Sequence, residues 1–162
     1  MKPLIKHLLP LVLGVLLYTQ PVQAQKQYQM AKHQLRFETP DDFVIDKQTD
    51  DFFVGNTRNS GIITFSLNAV TNKKRSSQDR EAALLALLQE MANSDEVQIR
   101  EIAEHEQAGF TGLMATATVD GYPALCLFMH APTESTKFFA MVVHRTNAQE
   151  AAQTLLDSIQ RY

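Results

Sequence analysis

The chain has 162 residues, 44% of them hydrophobic and 20% charged, with a formal net charge of −3. This usage excludes collagenous, disordered and disulfide-scaffold classes, and the length suits one domain of about 100–200 residues. The single cysteine, Cys126, excludes an internal disulfide, and an acidic balance offers no default surface for nucleic acid.

Residues 1–24 have the three parts of an export signal. Lys2 and Lys6 form a basic head, Leu8 to Leu17 an apolar run, and Val22 and Ala24 stand at −3 and −1 of a cleavage site before Gln25. The run is ten residues long, interrupted by Pro10 and Gly14, well short of the roughly 20 apolar residues of a spanning helix. Residues 25–162 are therefore expected as one exported domain, periplasmic or secreted, with no integral membrane segment after signal cleavage. Loss of Lys2 and Lys6 leaves 13 basic against 18 acidic side chains, a net charge of −5. The one basic cluster, Lys73-Lys74-Arg75, falls between expected elements and reads as a solvated loop, so no nucleic-acid partner is expected.

In the mature region, Gln25 to Gln29 read as a polar lead-in. Leu35 and Phe37 alternate with Arg36 and Glu38 as a short strand stopped by Pro40, and Phe43-Val44-Ile45 continue in extended form. Phe52 to Val54 and Ile62 to Leu67 are expected to form a hairpin about Asn56 to Gly61, whose Asn and Gly tolerate positive φ. Leu84, Leu87, Leu88 and Met91 fall at i, i+3, i+4 and i+7 of a helix, with Ser76 and Asp79 as its cap and Asn93-Ser94 as its stop. Four strands follow, near 96–106, 111–119, 123–130 and 137–145. Tight turns at Gln107-Ala108-Gly109 and Asp120-Gly121-Tyr122, and a longer one at Pro132 to Ser135, make them antiparallel neighbours. Asn147 with Glu150 predicts a reciprocal cap for a closing helix with the stripe Ala152, Leu155, Leu156 and Ile159.

Two of the four strands are apolar on both faces. Ala124, Cys126 and Phe128 alternate with Leu125, Leu127 and Met129, and Phe138, Ala140 and Val142 with Phe139, Met141 and Val143. Such strands must be covered on both sides, which predicts a central, mainly antiparallel sheet with a helix on each face, an α+β fold of α-β-α sandwich form. Arg100, Glu101, Glu104 and Glu106 place the first of the four strands near an edge.

The mature chain has His33, His105, His130 and His144, none at helical metal-ligand spacing. A meander puts His105 opposite Gly112 and Gly112 opposite His130, so His105 and His130 are weak metal candidates at one end of the sheet, about 9–10 Å apart. No Gly-x-Ser-x-Gly elbow occurs, Ser60-Gly61 is a turn and Ser66 is inside a strand, so no catalytic residue is assigned. Cys126 lies among apolar neighbours and reads as a structural thiol. Asp41-Asp42 and Asp50-Asp51 adjoin loops, and neighbours on an extended chain point to opposite faces, so neither doublet forms an acid/base pair by itself. Gly109-Phe110-Thr111-Gly112 lacks the Lys and following helix of a phosphate loop, and no cofactor is expected.

Three segments, Leu35 to Pro40 with Asp42-Phe43, Gly61 to Leu67, and Leu155 to Ile159, taken with the order of elements, resemble the PsbP-like family, bacterial exported DcrB-like members included. The aromatic after the early Pro is often Trp in that family and is Phe43 here. The resemblance implies an α-β-α sandwich serving as a binding or accessory module, and it transfers no catalytic or metal residue. The function expected is a non-catalytic accessory protein of the bacterial envelope, contacting a protein partner through a sheet edge or loop rim. The alternatives are a small-ligand or metal carrier using His105 and His130, and an immunity or inhibitor protein against an envelope toxin.

Overall fold

The computed structural model describes residues 25–71, 84, 86–90, 96–131 and 135–162. The leader, Lys73-Lys74-Arg75, Ser76 and Asp79, Met91, Asn93-Ser94 and residues 132–134 lie outside the described residues. In chain order the elements are β1 (Gln25–Met30), β2 (Leu35–Pro40), β3 (Phe43–Gln48), β4 (Phe52–Thr57) and β5 (Ile62–Thr71). Helix α1 is described at residues 84 and 86–90. Then come β6 (Val97–Gln107), β7 (Phe110–Val119), β8 (Tyr122–His130), β9 (Thr136–His144), α2 (Gln149–Asp157) and β10 (Gln160–Arg161). Single 3-10 turns occupy Ala31–His33 and Thr146–Ala148.

Seven strands form one antiparallel sheet in the order β3-β4-β5-β9-β8-β7-β6. The doubly apolar strands β8 and β9 are interior, and the charged β6 is an edge, as the side-chain pattern requires. The two alternating sets separate cleanly. Leu125, Leu127, Met129, Phe138, Ala140 and Val142 join a core with Ala152, Leu155 and Leu156 of α2 and with Ile159, which follows the helix and does not extend it as expected. Ala124, Cys126, Phe139, Met141 and Val143 join a second core with Leu84 and Leu88 of α1. Each large apolar side chain so buried contributes about 1.5–3 kcal/mol, so exposing either face would remove a large share of the net stability.

One cover is richer than a helix. A second sheet, ordered β1-β2-β10, shares the α2 side of the large sheet. Its β2 alternates as read from the sequence, Leu35 and Phe37 inward with Arg36 and Glu38 outward, and Phe37 meets Phe53 at 4.9 Å and Phe65 at 5.4 Å between ring centroids. The expected polar lead-in is in fact β1. Tyr28 and Met30 carry it, with the Tyr28 ring 5.1 Å from that of Phe53. The end of α2 is tied to β2 by Ser158, whose Oγ accepts from the Glu38 N–H at 2.9 Å. The reciprocal cap expected of Asn147 and Glu150 is not formed: no side chain caps α2, because the 3-10 turn Thr146–Ala148 takes Asn147 into itself and leaves Ala148 at the cap.

The meander's two inner connections are two-residue turns with positive φ at both positions, Ala108 (49°) and Gly109 (82°), then Asp120 (50°) and Gly121 (81°). This is the hairpin geometry whose twist matches the strands, and it fixes the register of β6, β7 and β8. A bulge between Ile99 and Glu101 shifts β6 by one residue, so Ile99 and Ile102, three apart, lie on the same face with Ala117 and Ala115.

Candidate functional site

The four histidines do not converge. His105 pairs with Gly112 as expected, but Gly112 pairs with Met129 and His130 pairs with Thr111. Because side chains alternate along a strand, this one-residue difference puts His105 on the α2 face and His130 on the α1 face. His105 Nε2 donates to Gln107 Oε1 at 3.2 Å, and His130 Nε2 pairs with Thr111 Oγ1 at 3.3 Å. His144 is buried at the end of β9 and donates from Nδ1 to the carbonyl of Arg145 at 2.8 Å. Among the described residues no group of three or more His, Cys, Asp or Glu side chains is placed to hold a metal ion.

His33 is a buried polar side chain. Its side chain is almost wholly buried at the junction of the two sheets, with Nε2 2.7 Å from Asp51 Oδ1 and Nδ1 2.9 Å from Thr71 Oγ1. Lys32 Nζ reaches both oxygens of Asp51, at 2.8 and 3.0 Å. The hydrogen bond from Lys32, then that from His33, hold the Asp51 carboxyl below its usual range, and Asp51 raises the Lys32 ammonium in turn. An ionised carboxylate only accepts, so His33 Nε2 carries a proton and, in the neutral ring, Nδ1 accepts from Thr71. Hydroxyl, imidazole and carboxylate are the members of a nucleophile relay. Here the hydroxyl belongs to Thr71, the last residue of β5, laddered opposite Thr136. The bonds tie the small sheet's first connection to β5 and to the β3–β4 loop.

The carboxylate doublets divide in the same way. Asp42 accepts from the backbone N–H groups of Asn59 and Ser60 and from Ser60 Oγ, closing the β4–β5 loop onto the start of β3. Desolvation opposes ionisation of Asp42, and these hydrogen bonds outweigh it, so its carboxyl titrates below the usual value. Sequence spacing gives no signal for either partnership, since His33 and Asp51 are 18 residues apart and Asp42 and Ser60 also 18. Cys126 is buried in the α1-side core, where loss of solvation pushes its thiol up to about 12.

A groove of about 160 Å³ opens on the α1 face at the β7–β8 turn. Ile63, Val119, Met141 and Val143 make its apolar side, and Thr64, Asp120 and Tyr122 supply polar atoms. Tyr122 is 49% exposed, the most exposed large hydrophobic side chain among the described residues. The type of turn is what brings it there: Asp120-Gly121 pairs Tyr122 with Val119, so its ring stands over the face where Val119 is buried.

No family model and no curated protein matches this chain. The solution structure of cyanobacterial PsbP (CyanoP) from Synechocystis sp. PCC 6803 is similar at a TM-score of 0.64, covering 87% of this chain and 94% of that one at 7% identity. The fold is PsbP-like. Fainter similarities are to a protein from Bacteroides thetaiotaomicron VPI-5482 (TM-score 0.49, 11% identity, 86% of this chain and 49% of that one) and to LpqN, involved in cell envelope biogenesis of Mycobacterium tuberculosis (TM-score 0.45, 11% identity, 88% and 86%). At such identities the likeness is one of fold, and the function of a PsbP-like chain has to be argued from its own surface. Among the described residues of this PsbP-like structure no helix is long and apolar enough to cross a membrane.

Proposed function

We propose that the chain is an exported accessory protein of the cell envelope that binds another protein, without catalysing a reaction, through the rim formed by the β7–β8 turn. The groove beside Tyr122 carries this reading. At about 160 Å³ it is smaller than the roughly 300–1,000 Å³ of a small-molecule site and has room for a single partner side chain. An apolar floor with a tyrosine at its lip and polar atoms around it is the anatomy of a protein contact, in which aromatic residues carry much of the energy. Export rests on the three-part leader at residues 1–24, and the PsbP-like fold supports an accessory role by analogy. The opposite faces of His105 and His130 disfavour a metal carrier built on them.

A photo-crosslinking residue placed at Tyr122 in the exported protein tests the proposal, with the same residue at Gln98 on the outer edge strand as control. The expected result is one defined protein adduct from position 122 and none from 98, with Tyr122→Ala weakening binding of that protein about tenfold or more. Adducts from 98 alone, or hydrolytic turnover abolished by His33→Ala, would contradict it.

A further inference from the structure

We propose that the mature chain carries a modified amino terminus, Gln25 closed to pyroglutamate. The proposal rests on removal of the leader after Ala24, the cleavage read from Val22 and Ala24. Two structural observations bear on Gln25. Gln25 pairs with Pro40, the last residue of β2 before the turn at Asp41-Asp42, so this cleavage leaves the new terminus opposite the end of that strand. Gln25 is also exposed, so its amide side chain is free to fold back on its own amine.

The chemistry needs no co-reactant. The freed α-amine nitrogen attacks Cδ of its own side chain, the N–Cδ bond forms as the Cδ–Nε2 bond breaks, and the amide nitrogen leaves as ammonia with a proton from the attacking nitrogen. The product is a five-membered lactam. An α-amine has a pKa of about 7.7–8.0, so near neutral pH part of it is unprotonated and nucleophilic, and the attack is intramolecular. Closure replaces an ammonium by a neutral lactam N–H at the tip of β1, leaving Lys26 as the sole charge of that edge strand.

Intact-mass measurement of the protein exported with its own leader decides the matter, together with labelling by an amine-selective reagent. The expected mass is that of residues 25–162 less one ammonia, with no label at the terminus. Gln25→Asn, which keeps the amide but cannot close a five-membered ring, should give the full mass of its own 25–162 sequence and a labelled terminus. Wild-type protein with the full mass of 25–162 and a labelled terminus would overturn the modification while leaving the cleavage intact. A chain beginning at any other residue would overturn both.

Discussion

His33 shows how far a buried polar group depends on partners distant in sequence. With Asp51 and Thr71 removed by substitution it would be left buried and unsatisfied, at a cost of about 1–3 kcal/mol. The pH dependence follows from the two depressed carboxylates. Asp42 and Asp51 titrate lower in the folded than in the unfolded chain, so each adds stability above the unfolded value of about 3.9 and loses it as pH falls through the lower folded value. Lys32 works the other way, adding stability below its unfolded value and losing it as pH rises through the raised folded one. Urea denaturation at several pH values should therefore show stability falling on the acid side below about 4, with Asp42→Asn less stable than wild type at pH 7 and flatter in acid. An unchanged acid slope in Asp42→Asn would contradict this. Cys126, its thiol pushed up to about 12, should resist thiol reagents in the folded protein and react stoichiometrically in denaturant. Rapid native labelling would show that the α1-side core opens.

At the scale of the element, much was legible from the sequence and the errors have identifiable causes. Strands β8 and β9 declared themselves because both alternating sets are apolar, and the closing helix because Ala152, Leu155 and Leu156 are buried on one stripe, while Ile159, expected on that stripe, is buried just beyond the helix end at Asp157. The register at His130 differs by one from that expected because Asp120-Gly121 is a two-residue turn ending at Tyr122, whereas the expected turn includes Tyr122. That single residue decides whether two histidines face each other or lie back to back. Strand β1 was illegible because three glutamines and a lysine conceal a strand whose inward residues are only Tyr28 and Met30. Nor does the alternation of β2 say which sheet it joins, so the second sheet had no signal. The turns themselves give a prediction. Ala108 holds a left-handed φ of 49°, which costs a residue with a Cβ about 1–2 kcal/mol, so Ala108→Asn should raise stability by a fraction of that. Gly112→Ala should do the reverse by about 1–3 kcal/mol or more, because its Cβ would run into the carbonyl oxygen of Phe128 on β8. Thermal denaturation of the two variants checks both signs, and equal stability of Gly112→Ala and wild type would refute the close approach of β7 and β8.

For the whole molecule, the two cores leave little of the sheet's interior faces for chemistry and direct attention to its rim. One face is closed by α1, the other by α2 with the three-stranded sheet, and the groove at Tyr122 lies toward one end of the α1 face. Fold class was readable in advance because it depends on how many faces are apolar, a property each strand carries in its own residues. The candidate site was not, because Ile63, Val119, Tyr122 and Met141 come together only through strand order and register. Native-state hydrogen exchange on residues 25–162 tests the two-sided insulation most directly. The account predicts the slowest exchange in β8 and β9, approaching that of global unfolding, with β6 exchanging faster along its outer edge. Exchange in β8 and β9 as fast as in β6 would contradict it.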